Sequence, residues 1–310
     1  MHIFTSLENI NISDKTAVAL GNFDGIHIGH KVILDDAIAS SKSRGLKSLC
    51  YTFSNHPFNY IMGRDDCDPD ALKLICSEKD KISILESMGF DYLVNVPFDE
   101  ITMKMRANTF FNDVIIGSLN AQLIAVGFNY SYGVRAEGKA VDLVREGRNN
   151  GIEVHVHDAV KLHDTVVSST LIRETIAVGN MDLAGEYLGR PYSFSGIVEH
   201  GKAVGKNLGF PTINIVPDCN RAMPPYGVYS GVSIIDGSRY RSIINIGLQP
   251  TFAGSTIKIE SHLFDYAADA YGKTAIIELD KFIRPEMKFG NADDLRHQIE
   301  KDCEAVIKRK

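Results

Sequence analysis

The sequence predicts two folds in succession: an α/β domain built on a parallel sheet, then an all-β antiparallel barrel with a terminal helix. Between residue 16 and about residue 160, short apolar runs alternate with longer amphipathic stretches, the pattern of strands joined by crossover helices. After about residue 190 the pattern changes to closely spaced β-rich runs with tight turns. A chain of 310 residues has room for two cores.

In the first half the candidate strands are TAVALGN, KSLCYTF, DYLVNV, AQLIAVGF and IEVHVHDAV. Between the first two lies HKVILDDAIASSKSRG, with Ile33, Leu34, Ala37 and Ile38 on one helical face and Gly45 placed to end the helix. Ser77, followed three residues later by Asp80, has the form of a capping box opening KISILESM before Gly89. The stretch from residue 169 to 188 is expected as helix, and ends at Gly189-Arg190-Pro191, so the junction is placed there. This gives expected domains of 1–184 and 185–310.

The second half offers YSFSGIVEHG, GVYSGVSII, YRSIINIG, IKIESHLF and AIIELDKFI as strands, with Asp236-Gly237 a hairpin signal between two of them. The chain closes with NADDLRHQIEKDCEAVIK, where Asn291 can cap a helix. Leu295, Ile299, Val306 and Ile307 are expected to form its apolar stripe, packed on the barrel.

Net charge is -6, hydrophobic content 44% and charged content 23%, the profile of a globular protein without a nucleic-acid-coating surface. No charged leader precedes an apolar core in the first twenty residues, and no apolar run approaches membrane-spanning length. The expectation is a cytoplasmic protein with no nucleic-acid or membrane partner; self-association is left open. Cys50, Cys67, Cys76, Cys219 and Cys303 lack C-x-x-C spacing, so they are expected to be reduced, with neither a disulfide framework nor a zinc knuckle.

Directly after the first strand comes G-N-F-D-G-I-H-I-G-H, residues 21–30. In a parallel sheet, ligands sit beyond the carboxyl ends of strands, where the following helices direct N–H groups at anions. Gly21, Gly25 and Gly29 let the backbone approach a ligand, and His27 and His30 fall at the first helical turn. Metal binding would need further ligands at matching spacing, which the sequence lacks. Helix capping with plain packing is the bland alternative. The favoured reading has imidazole N–H groups donating to phosphate oxygens as negative charge builds at phosphorus.

The motif G-x-F-D-x-x-H-x-G-H resembles the signature of the nucleotidyltransferase superfamily, with its Rossmann-like α/β fold. Members attack the α-phosphorus of a nucleoside triphosphate and release pyrophosphate. The resemblance implies ATP contacts from Gly21, Asn22, Phe23, Asp24, His27 and His30. The superfamily's second signature resembles Ser168-Ser169-Thr170-Leu171-Ile172-Arg173. Ser168 can cap a helix, Ser169 and Thr170 follow it, and the Arg173 guanidinium is shaped to clamp departing phosphates.

The run H-G-K-A-V-G-K-N-L-G-F-P-T-I-N-I spans residues 200–215. Gly201, Lys202, Gly205, Lys206 and Gly209 make a basic, glycine-rich loop suited to phosphates. Thr212 and Asn214, two apart on an expected strand, share a face and offer neutral hard oxygens for magnesium carrying ATP. The whole run is similar to the riboflavin kinase signature G-x-x-x-G-x-x-L-G-F-P-T-x-N. P-x-G-V-Y at 225–229, N-I-G-x-x-P-T-F at 245–252 and E-S-H-L-F-D at 260–265 follow in order, with V-G-F-N-Y-S-Y-G at 126–133 and L-G-R-P at 188–191. The chain is identified by this resemblance, over nearly its whole length, as a member of the bacterial bifunctional riboflavin kinase and FMN adenylyltransferase (FAD synthetase) family.

That resemblance implies ATP, Mg2+, riboflavin, FMN and FAD as ligands, with riboflavin phosphorylated by the second domain and FMN adenylylated by the first. A ribityl hydroxyl is un-ionised at neutral pH and calls for a base; the family's base falls on Glu260. The FMN phosphate is already ionised and calls for none, which suits an electrostatic role for His27, His30 and Arg173. The family's flavin loop and aromatic segment fall on His56, Pro57 and Phe58 and on Asn129, Tyr130 and Tyr132. Asn55 stands where a proline is usual, Tyr130 and Tyr132 where phenylalanines are common, and Lys206 replaces a common arginine. Two rival readings are a nucleotidyltransferase for another phosphorylated metabolite and a flavin sensor without turnover.

Overall fold

The computed structural model describes residues 1–200, 209–251 and 254–307. The chain divides into two compact units, Met1–Ser169 and Thr170–Lys310.

The first unit is built on a six-stranded parallel sheet. Its strands are β1 (His2–Phe4), β2 (Thr16–Leu20), β3 (Lys47–Phe53), β4 (Tyr92–Val96), β5 (Ala121–Gly127) and β8 (Glu153–His157), in the order β1-β4-β3-β2-β5-β8. Short strands β6 (Ser131–Tyr132) and β7 (Gly138–Lys139) form a separate pair, as do β9 (Lys161–Leu162) and β10 (Thr165–Val166). The five expected strands are all present. The sixth, β1, has three residues, too few to show a period.

All five residues of β2 are buried, because helices cover both faces of the sheet. Successive side chains alternate between two cores. Val18, Leu20, Leu49, Tyr51 and Val94 meet Phe110 and Phe111 on one face; Ala19, Cys50, Leu93 and Ala125 meet Leu34 and Ala37 of α1 on the other. Helix α1 (Ile28–Arg44) buries the four expected residues and stops at Gly45, whose φ of 66° only glycine adopts without strain. Leu34 is fully buried, so truncation to alanine there would cost about 2–5 kcal/mol. Helices α2 (Pro57–Ile61) and α3 (Glu78–Met88) follow β3, and α3 opens with the Ser77/Asp80 capping box. Then come α4 (Glu100–Lys104), α5 (Ala107–Thr109) running into a π-helix at Phe110–Ser118, and α6 (Ala140–Asn150).

After β2 the chain moves outward through β3 and β4, then returns to place β5 on the other side of β2. The switch point therefore lies at the carboxyl ends of β2 and β5, where crevices for ligands form in such sheets.

The stretch expected as one helix is two, α7 (Ser169–Ala177) and α8 (Met181–Leu188). Gly179 adopts a φ of 77° and Asn180 accepts the Leu183 N–H at 3.2 Å, so one helix ends and a new cap starts. The second unit then forms a six-stranded antiparallel sheet from β11 (Tyr192–Ile197), β12 (Ile213–Ile215), β13 (Gly227–Ile235), β14 (Ser238–Thr251), β15 (Gly254–Leu263) and β16 (Thr274–Pro285). The order is β11-β16-β13-β14-β15-β12. The sheet curls until its edges meet: Glu199, just past β11, donates its N–H to the Asn214 carbonyl of β12 at 2.8 Å. At the β13–β14 hairpin Asp236 and Gly237 both have positive φ, 50° and 78°, as a two-residue primed turn requires.

Helix α9 (Ala292–Ile307) packs on the barrel, with Ile299 and Cys303 against Val228 and Ile243. Asn291 caps it, accepting the Asp294 N–H at 2.8 Å. The expected stripe is corrected at its end: Val306 is buried but Ile307 is 55% exposed, since it lies about 100° further round the helix. The free cysteines among the described residues are Cys50, Cys76 and Cys303, all buried; Cys67 and Cys219 are not free, which corrects the expectation for those two. Among the described residues, no helix is long and apolar enough to cross a membrane and no cluster of His, Cys, Asp or Glu could hold a metal.

Candidate active sites

The loop after β2 is built for closeness. Phe23 has a φ of 50° and is buried, and a Cβ on Gly21 would stand 2.8 Å from its ring. At Gly25, φ is 84° and a Cβ would meet Ile75 at 2.9 Å. Asp24 is buried and works as a pin: its carboxylate accepts the Ile75 N–H at 3.0 Å, and its carbonyl accepts the Ser169 hydroxyl at 2.9 Å. The Asn22 carbonyl accepts the Thr52 hydroxyl at 2.9 Å, tying the loop to β3. Thus the Asn22 carbonyl and Asp24 hold the loop's shape beside His27 and His30.

His27 caps α1, its Nδ1 accepting the His30 N–H at 3.3 Å. A neutral His27 therefore carries its proton on Nε2. The two rings stack, centroids 3.6 Å apart, over Gly29, where a Cβ would sit 3.1 Å from the His27 ring; the Phe23 ring meets His30 edge-on. Burial first, then the charges of His27 and Lys81, push His30 well below its ordinary pKa, and its Nδ1 is buried without a partner among the described residues. The pair is a compact set of imidazole nitrogens at a helix N-terminus, with His30 disfavoured in its charged form by burial.

Lys81, on α3, is a buried charge near this loop that sequence reasoning missed. Only 7% exposed, it donates to the Phe53 carbonyl at the end of β3. It lines a small cavity with Asn22, Asp24, Asn55, His56 and Glu78. A lysine on a helix normally reads as solvated surface, so the sequence carried no signal for its burial.

Of the expected flavin residues, His56 caps α2 and accepts the Phe58 N–H at 3.2 Å, Pro57 opens that helix, and Phe58 is 46% exposed. Asn55 bonds the Phe98 backbone through both amide ends, at 3.0 and 2.7 Å, fixing the loop where a proline is usual. Past β5, Asn129 is exposed and Tyr130 half-buried, its ring stacked on Tyr132 at 6.0 Å. Tyr132 is a core residue at 8% exposure, packed against Phe110, and burial raises its hydroxyl to about 12. Its ring is thus occupied by protein, and Tyr130 with the exposed Phe128 presents the aromatic surface at this strand end. Of the second signature, Ser168 precedes α7, Ser169 reaches Asp24, Thr170 is exposed, and Arg173 lies one turn into the helix.

In the second unit, Thr212, Asn214 and Glu260 share one cavity of about 380 Å³ between the barrel and α9. Glu260 lies directly across from Asn214 on one side and Asn245 on the other, so three polar side chains from adjacent strands face the cavity together. Asn214 is 3% exposed and its Oδ1 is buried with no partner among the described residues. A buried carbonyl oxygen left open next to a threonine hydroxyl fits magnesium brought in by a nucleotide, which needs only a few protein oxygens. Glu260 accepts the Gln249 amide at 2.7 Å. The cavity's other wall includes Leu295, Ile299 and the Arg284–Asp302 ion pair, with Arg284 Nη2 2.7 Å from Asp302 Oδ2. Sequence reasoning missed Arg284, Asp302 and Gln249, which meet only because β16, α9 and the β14–β15 hairpin converge. Gly209 precedes Phe210 at the cavity's edge; Gly201, Lys202, Gly205 and Lys206 lie outside the described residues.

A nucleotide-type α/β unit with paired histidines at its switch point, followed by a barrel with a carboxylate in a polar cavity, defines a class of two-site phosphate-transfer enzymes. Comparison with known proteins makes this particular. A family model described as FAD synthetase matches residues 9–171, and one described as riboflavin kinase matches residues 188–309. The bifunctional riboflavin kinase/FMN adenylyltransferase of Bacillus subtilis is 34% identical over 297 residues, 95% of this chain and 92% of that one. Its counterparts in Haemophilus influenzae and Escherichia coli are 32% and 31% identical, covering 99% and 97% of this chain and 98% and 96% of their own. A crystal structure described as a macrolide-efflux protein from Streptococcus pneumoniae superposes with a TM-score of 0.87 at 29% identity, over 99% of each chain. The chain belongs to the bifunctional riboflavin kinase/FMN adenylyltransferase family.

Proposed function

We propose that the barrel phosphorylates riboflavin to FMN and the α/β unit adenylylates FMN to FAD, each with ATP. The observation that carries the reading is the meeting of Thr212, Asn214 and Glu260 in one cavity, with the Asn214 Oδ1 left open. Glu260 takes the proton from the ribityl hydroxyl as its oxygen attacks the γ-phosphorus and ADP leaves. Thr212 and Asn214 would hold the Mg2+ that accompanies ATP and neutralises phosphate charge there. The glycine-rich segment with Gly201, Lys202, Gly205, Lys206 and Gly209 is assigned to the same nucleotide.

In the α/β unit an ionised FMN phosphate oxygen attacks the α-phosphorus of ATP and pyrophosphate leaves, so no protein base is used. His27 and His30 donate N–H groups to the phosphate oxygens, and Arg173 pairs with the departing phosphates. The α1 N-terminus adds its dipole. His56, Pro57, Phe58, Asn129 and Tyr130 are assigned to the flavin, with Tyr132 backing Tyr130 from the core. The proposal keeps a functional division at residues 184 and 185 and places the enzyme in the cytoplasm, where its water-soluble substrates would be met.

The test is direct: the purified chain, incubated with riboflavin, ATP and magnesium, yields FMN and then FAD with pyrophosphate. Absence of FMN would remove the kinase assignment. Labelled adenylyl transfer to other phosphorylated acceptors in preference to FMN would replace the α/β assignment.

A further inference from the structure

We infer that Gln249 is the positioning residue of the kinase base: its side-chain amide locks the Glu260 carboxylate so that one oxygen alone faces the ribityl hydroxyl. The inference rests on the reading of Glu260 as base.

Three observations carry it. The Gln249 Nε2 lies 2.7 Å from Glu260 Oε1, and among the described residues no other side chain bonds this carboxylate. Both residues line the same cavity. The register shows that the contact is built, since Gln249 stands across from Thr256 and Glu260 across from Asn245, four residues away along β14. The two side chains must therefore reach toward each other over Gly247, which lies between them on the same face. The Glu286 carboxylate packs directly on Gly247, 2.1 Å from where a Cβ would stand, and lines the same cavity with no hydrogen bond to Gln249 or Glu260 among the described residues. A long amide at 249 is what carries the donor across the register to Glu260.

The physical consequence follows from the rotors. A glutamate with an unheld head samples many orientations, and a base works only when its lone pair meets the hydroxyl within hydrogen-bond reach. A neutral N–H donor on Oε1 fixes the carboxylate plane without cancelling its charge, and leaves Oε2 as the oxygen that takes the proton. Gln249 touches neither substrate nor phosphate in this account, so it acts on kcat through Glu260.

The experiment uses the full-length chain. Gln249→Met keeps length and volume but has no donor. It should lower kcat for FMN formation about 10- to 100-fold, with the KM for riboflavin within about twofold and FMN-to-FAD turnover unchanged. In a Glu260→Gln background the same substitution should change the residual rate less than twofold, because nothing remains to position. Unchanged kcat in Gln249→Met overturns the inference, as does a loss that multiplies undiminished in the Glu260→Gln background. Should Gln249→Met fail to bind riboflavin, Gln249→Asn serves instead: it keeps the amide but is one methylene shorter, so its donor no longer reaches Oε1 and kcat should fall comparably, whereas wild-type kcat overturns the inference. Failure of the underlying reading looks different, since Glu260→Gln itself would then retain riboflavin phosphorylation.

Discussion

Removal of the Asp302 carboxylate should be among the most damaging single changes in the barrel unit. Asp302 accepts from Arg284 Nε at 3.2 and 2.9 Å and from Nη2 at 2.7 Å, and from Gln298 Nε2 at 2.8 Å. The two charged side chains are 5% and 16% exposed, so solvent screens the pair little. Asp302→Ala leaves a mostly buried guanidinium whose remaining hydrogen bond among the described residues is to the Pro285 carbonyl at 3.0 Å. Breaking one side of a buried pair costs about 3–5 kcal/mol, dominated by the charge left uncompensated. At a urea m-value near 2 kcal/mol/M this moves the unfolding midpoint down by on the order of 2 M. Because Arg284 sits on β16 and Asp302 on α9, both at the cavity wall, riboflavin phosphorylation should be lost on heating well before FMN adenylylation. The check is urea denaturation by circular dichroism with both half-reactions assayed in parallel. A double variant, Arg284→Met with Asp302→Leu, should recover most of the stability, since removing both charges removes the penalty. A loss below about 1 kcal/mol in Asp302→Ala, or a double variant as unstable as the single, would refute the argument.

Three further outcomes are expected. Burial, with His27 and Lys81 nearby, holds His30 below its ordinary value of 6.5, so the unfolded chain binds a proton there that the folded one refuses. Stability should therefore fall as pH drops below that value, by up to ~1.4 kcal/mol per pH unit from this group, and His30→Gln should flatten that part of urea midpoints measured from pH 7.5 to 5. Gly25→Ala meets both a φ of 84° and Ile75 at 2.9 Å; it should cost about 1–3 kcal/mol and depress FMN adenylylation while sparing riboflavin phosphorylation, as steady-state rates of each half-reaction would show. Asn55→Ala removes two bonds to the Phe98 backbone and should raise the KM for FMN with about 1–3 kcal/mol of lost stability; an unchanged KM would separate that loop from the flavin.

The fold was legible where one physical signal dominated. Strand β2, α1 with its Gly45 stop, the Ser77/Asp80 box and the Asp236-Gly237 hairpin each follow from local chemistry that tertiary packing did not override. The break at Gly179 was missed because Asn180 could serve either as a helix residue or as a cap, and the backbone chose the cap. Ile307 was misassigned because a period of four drifts off a helical face within a few turns. In the sites, the motifs marked His27, His30, Thr212, Asn214 and Glu260, which stand on single strand ends or on neighbouring strands. Lys81, Arg284 and Asp302 had no motif, because their contacts join separate elements, while Gln249 fell on a variable position of the 245–252 motif and its contact four residues out of register left no sequence signal. Tyr132 illustrates the opposite case: an aromatic in a flavin-like segment that the core claimed instead.

The central claim is that two independent sites divide the two reactions, and one paired measurement tests it most directly. His30→Ala and Glu260→Gln are each assayed for riboflavin-to-FMN and FMN-to-FAD turnover. The account predicts that His30→Ala accumulates FMN, with adenylylation down by about 10²–10³ for the loss of a donor to the phosphates. Glu260→Gln should leave riboflavin untouched, with phosphorylation down by about 10²–10⁴, yet make FAD from supplied FMN at the wild-type rate. Loss of both half-reactions in either variant, while folded, would contradict it.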